Sequence, residues 1–220
     1  MKARILSTLL LLATPAAVTV SLVLAGYSPQ AVADSPPAAD PQVQMEATAR
    51  QLFAAIDQNR SAIRKDAKAA IPLIETILLP HFDTDYASQL ILAQYWRTAT
   101  TEQRQRFVTA MVQMLTNTYA GALAEFSSDR FKILPYRPDA NPDLATVRTE
   151  VRRSSGVVVP VDYKLRRTAG GWKVFDVIIE GISYVKNYRT DLGAEISQRG
   201  LDAVIARIER DGTAAAGKKT

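Results

Sequence analysis

The feature that most constrains this sequence is a pair of apolar segments joined by two glycines. From Val157 to Leu165 every odd-numbered position is apolar or aromatic, while Asp162 and Lys164 stand at even-numbered positions. Alternation of this kind is typical of a strand that buries one face. Gly170-Gly171 then predicts a tight turn into a second strand. The chain is therefore expected to build an antiparallel sheet with one strongly apolar face.

The strand that follows this turn carries apolar side chains on both of its faces. A loop of even length would pair Val161 or Tyr163 with Ile178. The same register places Trp172 and Val174 on the apolar face of the preceding strand. A slip of one residue would exchange the two faces, and the sequence leaves both registers open. Both faces of this strand therefore need apolar neighbours.

Periodicity divides the rest of the chain into a helical block, a sheet and closing helices. The longest helix is predicted to begin at Thr100, which forms a capping-box pair with Gln103. Asp83 and Ser183 are expected to cap two further helices. The predicted helices are 45–56, 66–79, one from 83, 100–126, 183–196 and 201–208, and the predicted strands are 130–135, 145–153, 157–166 and 172–179. This order predicts an α+β fold, in which a twisted antiparallel sheet of about four strands packs against a helical block and the C-terminal helices return onto it.

The N-terminal residues predict an export signal. Lys2 and Arg4 precede a long uncharged apolar run, and Ala31-Val32-Ala33 is a small-x-small cleavage pattern. The alternative is a membrane anchor, because the run approaches the roughly 20 residues that span a bilayer. Pro15 and the cleavage pattern favour a cleaved signal. We therefore assign residues 1–33 to a signal peptide cleaved at about Ala33, 34–41 to a flexible leader, 42–211 to a single domain and 212–220 to a disordered tail.

Residue types that carry catalysis or bind metals are sparse. His81 is the single histidine, there is no cysteine, and no nucleophile motif is present, so neither a zinc site nor a triad is expected. Asp176 and Glu180 would lie about 13 Å apart along a strand, too far for a glycosidase pair. Asp176 is instead expected to accept hydrogen bonds inside the fold. We expect no enzyme, no metal and no cofactor.

The positive charge of the chain is modest. A net charge of +5 without a dense basic cluster argues against a nucleic-acid partner. Four basic residues fall on outward positions of two predicted strands: Arg148, Arg152, Lys164 and Arg166. They form either a solvated sheet face or a weakly attractive surface for anionic head groups or an acidic partner.

Several short motifs, spread over nearly the whole predicted mature chain, resemble those of one family of exported proteins. They are Tyr95-Trp96-Arg97, Thr118-Tyr119-Ala120, Val161-Asp162-Tyr163, Trp172-Lys173-Val174, Glu180-Gly181-Ile182-Ser183 and Asn187-Tyr188-Arg189. In combination the chain resembles the MlaC, or toluene-tolerance, family of periplasmic phospholipid carriers. One departure is Ala93-Gln94, where that family commonly has a glycine before the tryptophan.

The resemblance implies a periplasmic carrier that takes a phospholipid between the outer and inner membranes and maintains outer-membrane lipid asymmetry. It also implies two partners, an outer-membrane lipoprotein complex and an inner-membrane ABC transporter with its lipid-binding subunit. A related subgroup is associated with hopanoid metabolism, so a hopanoid-type ligand stays open. The implied pocket lies between the twisted sheet and the helices, and it encloses acyl chains while the head group stays in water.

Apolar residues on the expected inner surfaces are the candidates for lining this pocket, although each could equally be packed core. The candidate lipid-binding residues are Met111, Leu115, Tyr119, Val147, Val151, Val159, Val161, Tyr163, Val174, Ile178 and Val185. Two other classes of protein compete with the carrier. One is a periplasmic adaptor that has a fully packed sheet and no ligand, and the other is a hydrolase on a related scaffold.

Overall fold

The structure is a computed structural model that describes residues 40–215. The predicted signal peptide, its cleavage site, most of the leader and the last five residues lie outside that range. The described helices are α1 Pro41–Lys65, α2 Ile71–Leu73, α3 Thr84–Leu92, α4 Gln94–Thr98, α5 Thr101–Tyr119, α6 Tyr184–Arg199 and α7 Leu201–Ala215. The described strands are β1 Phe131–Ile133, β2 Leu144–Arg152, β3 Val158–Thr168, β4 Gly171–Ile179 and β5 Ile182–Ser183.

The five described strands form one antiparallel sheet in the order β1-β2-β3-β4-β5. Each strand pairs with the next one along the chain, as in a meander. The α+β prediction is confirmed, with one strand more than expected because Ile182 and Ser183 fold back onto the end of β4. The turn between them contains Glu180 at φ 51° and Gly181 at φ 82°. Two central residues with positive φ are typical of the tightest hairpin turns.

The register of β4 differs from the predicted one in its second half. Near the turn, Leu165 pairs with Val174, as alternation predicts. A β-bulge follows between Lys164 and Leu165, and beyond it Tyr163 pairs with Val177. One extra residue in a strand reverses which side chains share a face from that point on. The predicted pairing of Ile178 with Val161 or Tyr163 is therefore wrong.

The free edge of β4 is covered along much of its length. The side-chain amide of Gln44 from α1 donates to the carbonyl of Trp172 at 2.6 Å and accepts from its N–H at 3.2 Å. Further along, Phe82 pairs with Val174 as a short parallel bridge. The last residues of β4 pair with β5. A side chain, a loop and a short strand thus occupy successive parts of one sheet edge.

The predicted helix caps are confirmed. Asp83 accepts from the backbone N–H of Tyr86 at 3.1 Å, and Ser183 accepts from that of Lys186 at 3.1 Å. At the start of α5, Thr100 accepts from the N–H of Gln103 at 3.1 Å, while the Gln103 side chain accepts from the N–H of Thr100 at 3.0 Å. Helices α3, α5, α6 and α7 then pack their apolar faces into one core. A second core joins α1 to the segment 67–79 and to the turn Ala120–Glu125.

Three predicted boundaries need correction. Residues 66–79 are not one helix but a 3-10 turn, the short α2 and a π-helical turn. The leader does not reach residue 41, because Asp40 caps α1 and accepts from the N–H of Gln42 at 2.7 Å. The tail does not begin at 212, because α7 continues to Ala215. Gly212 lies against the backbone of Met114 in α5, so this part of α7 packs on the domain.

Candidate functional site

Three apolar hollows lie between the sheet and the helices. The first compartment, of about 260 Å³, separates α1 from the inner face of β3 and β4. Its walls are mostly aliphatic and aromatic side chains from α1, the sheet and the intervening turns. They include Met45, Thr48, Ala49, Leu52, Phe53, Leu78, Phe82, Leu123, Phe126, Tyr163, Leu165, Val174 and Val177.

The second and third compartments lie on either side of α3. The second, of about 250 Å³, is enclosed by the π-helical turn, α3 and α5, and its lining includes Ile74, Leu79, Met111, Val112 and Thr116. The third, of about 280 Å³, lies between α3, β4 and α6, and its lining includes Phe175, Ile179, Tyr184, Val185 and Tyr188. Both compartments are lined by Ala87, Ile91, Leu115 and Tyr119. Tyr119 is 44% exposed, so the two compartments reach the surface beside this ring.

The three compartments adjoin one another, because they share wall residues. Phe82 lines all three of them. Its backbone is fixed by the bridge to β4, where the N–H of Asp83 donates to the carbonyl of Val174 at 2.8 Å. The aromatic ring at the branch point is thus held by the sheet itself. We call the three compartments together the branched cavity.

Two polar side chains of the branched cavity, Tyr163 and His81, are held uncharged. Burial raises the pKa of the Tyr163 hydroxyl to about 12. Burial, followed by the charge of Lys173, lowers the pKa of His81, whose Nδ1 lies 3.3 Å from the side-chain nitrogen of Gln44. At neutral pH these side chains are a phenol and a neutral imidazole. They add no charge to an apolar lining.

A tyrosine cluster marks the surface end of the second and third compartments. The ring of Tyr184 makes edge contacts with Tyr119 and Tyr188, at centroid distances of 6.4 and 6.3 Å. Burial and then the neighbouring Tyr184 raise the pKa of the Tyr119 hydroxyl above its ordinary value. The Tyr119 hydroxyl stays protonated at neutral pH. The cluster offers amphipathic rings at a place where the cavity meets water.

Asp176 holds β4 to the start of α6. Its carboxylate accepts from the Ser183 hydroxyl at 2.6 Å and from the N–H of Val185 at 3.1 Å. The side chain is buried, with 8% of its surface exposed. The expectation that Asp176 accepts hydrogen bonds inside the fold is confirmed. Through them it fixes the α6 residues that wall the third compartment.

A fourth hollow, of about 330 Å³, lies at the far end of the sheet and differs in character. Its floor consists of apolar side chains, namely Ala122, Phe126, Val151, Val159, Val161 and Ile179. Its rim contains Arg130, Arg152 and Arg153, together with Glu125. Phe126 also lines the first compartment and Ile179 the third, so the fourth hollow adjoins the branched cavity.

Comparison with known proteins places this geometry in a family. The profile of the family described as "MlaC protein" matches residues 46–210, which is most of the chain. The chain belongs to the MlaC family. The resemblance drawn from the sequence motifs is therefore confirmed.

Two curated relatives and one solved structure of MlaC type match this chain. The "Intermembrane phospholipid transport system binding protein MlaC" of Haemophilus influenzae is 25% identical over 173 residues, 77% of this chain and 81% of that protein. The "Toluene tolerance protein ttg2D" of Pseudomonas putida is 30% identical over 163 residues, 74% of this chain and 75% of that protein. A phospholipid-binding protein from Ralstonia solanacearum, solved in complex with a phospholipid, is 26% identical. It superposes with a TM-score of 0.74 over 81% of this chain and 99% of that one.

Most of the candidate lining residues lie against a cavity of this MlaC-family fold. Six line the branched cavity: Met111, Leu115, Tyr119, Tyr163, Val174 and Val185. Val151, Val159 and Val161 line the fourth hollow instead. Val147 is fully buried in the sheet core. Ile178 was placed on the wrong face, because beyond the bulge it pairs with Asp162 and Ser183 while Val177 and Ile179 turn inward.

Sequence reasoning missed the largest wall of the first compartment. Helix α1 contributes Met45, Ala49, Leu52 and Phe53, and the turn before α3 contributes Phe82. The spacing of these α1 residues predicts a helix with one apolar face. Such a face can either pack against a solid core or line a cavity. No signal in the sequence separates these two cases.

Two features of the described residues bear on the chemistry. Within residues 40–215, no group of three or more histidine, cysteine, aspartate or glutamate side chains is arranged to hold a metal ion. Among the helices of the same range, none is both long and apolar enough to cross a membrane. What the described site offers is an apolar, branched volume beside a basic rim.

Proposed function

We propose that this MlaC-family protein is a periplasmic phospholipid carrier that encloses acyl chains in the branched cavity. The observation that carries the proposal is the cavity itself, because three apolar compartments meet at Phe82 instead of being filled by side chains. Protein interiors are normally close-packed, and a bound apolar ligand would account for adjoining voids of this size. The adaptor hypothesis required a fully packed sheet, and these voids count against it.

The volume and lining suit acyl chains. Ligand pockets typically enclose roughly 300–1,000 Å³, and the three compartments of about 260, 250 and 280 Å³ reach this range only in combination. Exposing one methylene to water costs about 0.8 kcal/mol, so two chains of a phospholipid cannot cross an aqueous space unprotected. An apolar cavity makes transfer from a bilayer nearly neutral, and the lipid can be both loaded and released.

The names of two relatives support a transport route between the two membranes. A protein of intermembrane phospholipid transport and a toluene tolerance protein both align over about three quarters of this chain. By this likeness, the chain shuttles phospholipid between the outer and inner membranes and maintains outer-membrane lipid asymmetry. Its partners would be an outer-membrane lipoprotein complex and the lipid-binding subunit of an inner-membrane ABC transporter. Cleavage at about Ala33 would release the carrier into the periplasm.

The test compares two tryptophan substitutions on the same helix. Ala49 in α1 lines the first compartment, whereas Ala54 in α1 is exposed. Protein purified from the periplasm is extracted with solvent, and the bound lipid is identified and quantified by mass spectrometry. The wild type and Ala54→Trp should each carry about one phospholipid per chain. Ala49→Trp should carry much less, because the indole occupies the volume that an acyl chain would fill.

Circular dichroism and thermal melting of both variants confirm that they are folded. Ala87→Trp, which blocks the second and third compartments from α3, repeats the test at an independent position. Wild-type protein without lipid would contradict the carrier, and folded variants of Ala49 and Ala87 with undiminished lipid would contradict the assigned cavity. A hopanoid-type lipid in the extract would keep the carrier role and contradict the choice of phospholipid.

A further inference from the structure

The fourth hollow combines an apolar floor with an excess of positive charge. Its rim has three guanidinium groups and the single carboxylate of Glu125. Arg153 is the only one of the three with an ion pair within the described residues. Its contact with Glu180 is long, at 4.0 Å, and both side chains are more than half exposed. Such an exposed pair neutralises little.

The strand register places two of these arginines against each other. Phe131 of β1 pairs with Val151 of β2 in antiparallel register. Arg130 is the last residue of the 3-10 turn Ser128–Arg130, immediately before Phe131, and Arg152 comes immediately after Val151, so the two backbones lie close together at this end of the pairing. Two like charges held close together repel each other. Neither side chain has an ion pair with another described residue, whereas a bound anion would relieve the repulsion of both.

Another arginine near the cavity is neutralised, in contrast. Arg166 on β3 contacts Asp83, with Nε 2.5 Å from Oδ2, and its guanidinium lies over the ring of Tyr86. Asp83 lines the second compartment. A compensated charge therefore lies beside the apolar compartments, whereas Arg130 and Arg152 at the fourth hollow have no ion pair among the described residues.

The adjacency of the hollows indicates which anion would bind. Phe126 is shared with the first compartment, and Ile179 with the third. A lipid whose tails fill these branches can lay its glycerol over Val159 and Val161, and its phosphate then reaches the rim. The planar fork of an arginine matches two phosphate oxygens at once.

We propose that Arg130 and Arg152, with Arg153 beside them, bind the phosphodiester of the carried lipid's head group at the fourth hollow. This assignment rests on the proposed function, since it takes the tails to lie in the branched cavity. It places the polar end of the ligand at the tip of the β2–β3 hairpin, away from the tyrosine cluster. The carrier then recognises a phosphate as well as two acyl chains.

The experiment compares two lipids that share acyl chains but differ in the phosphate. Delipidated protein is titrated with a fluorescent phosphatidylglycerol and with the diacylglycerol of the same chains. The test variant is Arg130→Gln/Arg152→Gln, which keeps length and polarity but removes both charges. The matched control is Arg97→Gln/Arg210→Gln, which removes two exposed arginines that line none of the four hollows. A third arm titrates the wild type with inorganic phosphate alone.

Removing both charges should weaken phosphatidylglycerol binding by about tenfold or more, the usual scale for charge-assisted hydrogen bonds. Diacylglycerol binding should be unchanged, and the control should behave as the wild type with both lipids. An equal loss for both lipids, or no loss for either, overturns the phosphate subsite while the carrier function stands. Tight binding of inorganic phosphate would assign the rim to a free anion and overturn the proposal. A wild type that binds neither lipid refutes the carrier function itself.

Discussion

Ala93 is expected to be a strained residue whose replacement by glycine stabilises the protein. It lies between α3 and α4 with φ 50° and ψ −113°, a backbone conformation that side chains with a Cβ rarely adopt. A residue held in such a region costs of order 1–3 kcal/mol. Glycine removes this strain but gains about 0.4–1 kcal/mol of freedom in the unfolded chain. Ala93→Gly should therefore raise the free energy of unfolding by about 1 kcal/mol.

The side chain of Ala93 is exposed, so little packing is lost with its methyl group. For a protein of this size, 1 kcal/mol corresponds to an increase of about 2–4 °C in the melting temperature. The same substitution at Ala54, exposed within α1, should instead cost about 0.5–1 kcal/mol because glycine weakens a helix interior. Urea unfolding and thermal melting of the two variants measure the expected gain in stability for Ala93→Gly and the expected loss for Ala54→Gly.

The reasoning is refuted if Ala93→Gly destabilises the protein as Ala54→Gly does. Such a result would mean that the α3–α4 junction carries no strain at this residue. Because α3 contributes Ala87 and Ile91 to two compartments, the geometry of this junction also sets one wall of the branched cavity.

Three further predictions concern stability. Asp176→Ala should lower the free energy of unfolding by about 3 kcal/mol, because the Ser183 hydroxyl and the Val185 N–H both lose their acceptor; a loss below about 1 kcal/mol in urea unfolding would contradict this. Thr100→Ala should cost about 1 kcal/mol in the same assay, since it breaks the capping box of α5, and an unchanged midpoint would contradict it. Burial raises the pKa of Tyr163 from 10.0 to about 12, so the folded state keeps a proton that the unfolded chain releases. Stability of the wild type should therefore fall more steeply than that of Tyr163→Phe as the pH rises from about 10 to about 12, whereas parallel curves would refute the assignment.

Local sequence patterns predicted the helices and strands better than they predicted the cavity. Asp83, Thr100 and Ser183 cap helices as expected, because a short polar side chain before an apolar period acts on neighbouring backbone groups. The sheet order followed from strict alternation and the glycine pair. These signals are local, and tertiary packing does not override them in this fold.

The inner face of β4 could not be predicted in full. A bulge inserts one residue between Val174 and Val177, and no residue type in this strand demands it. Because both faces of the strand are apolar, hydrophobicity does not mark the change. Val174 faces the first compartment before the bulge, and Val177 and Ile179 face the cavity after it. Apolar side chains on both sides are what a strand needs when it changes its inward face midway.

The covered edge of β4 has a consequence for how the protein behaves at high concentration. Strand edges with free N–H and carbonyl groups invite pairing with another molecule and, from there, aggregation. Gln44 occupies the groups of Trp172, Phe82 those of Val174, and β5 those of the last two residues. At the opposite margin, β1 is only three residues long, too short to act as a good template. A fold with a large apolar cavity already has one surface on which copies of the protein could associate, and the covered sheet edges remove a second one.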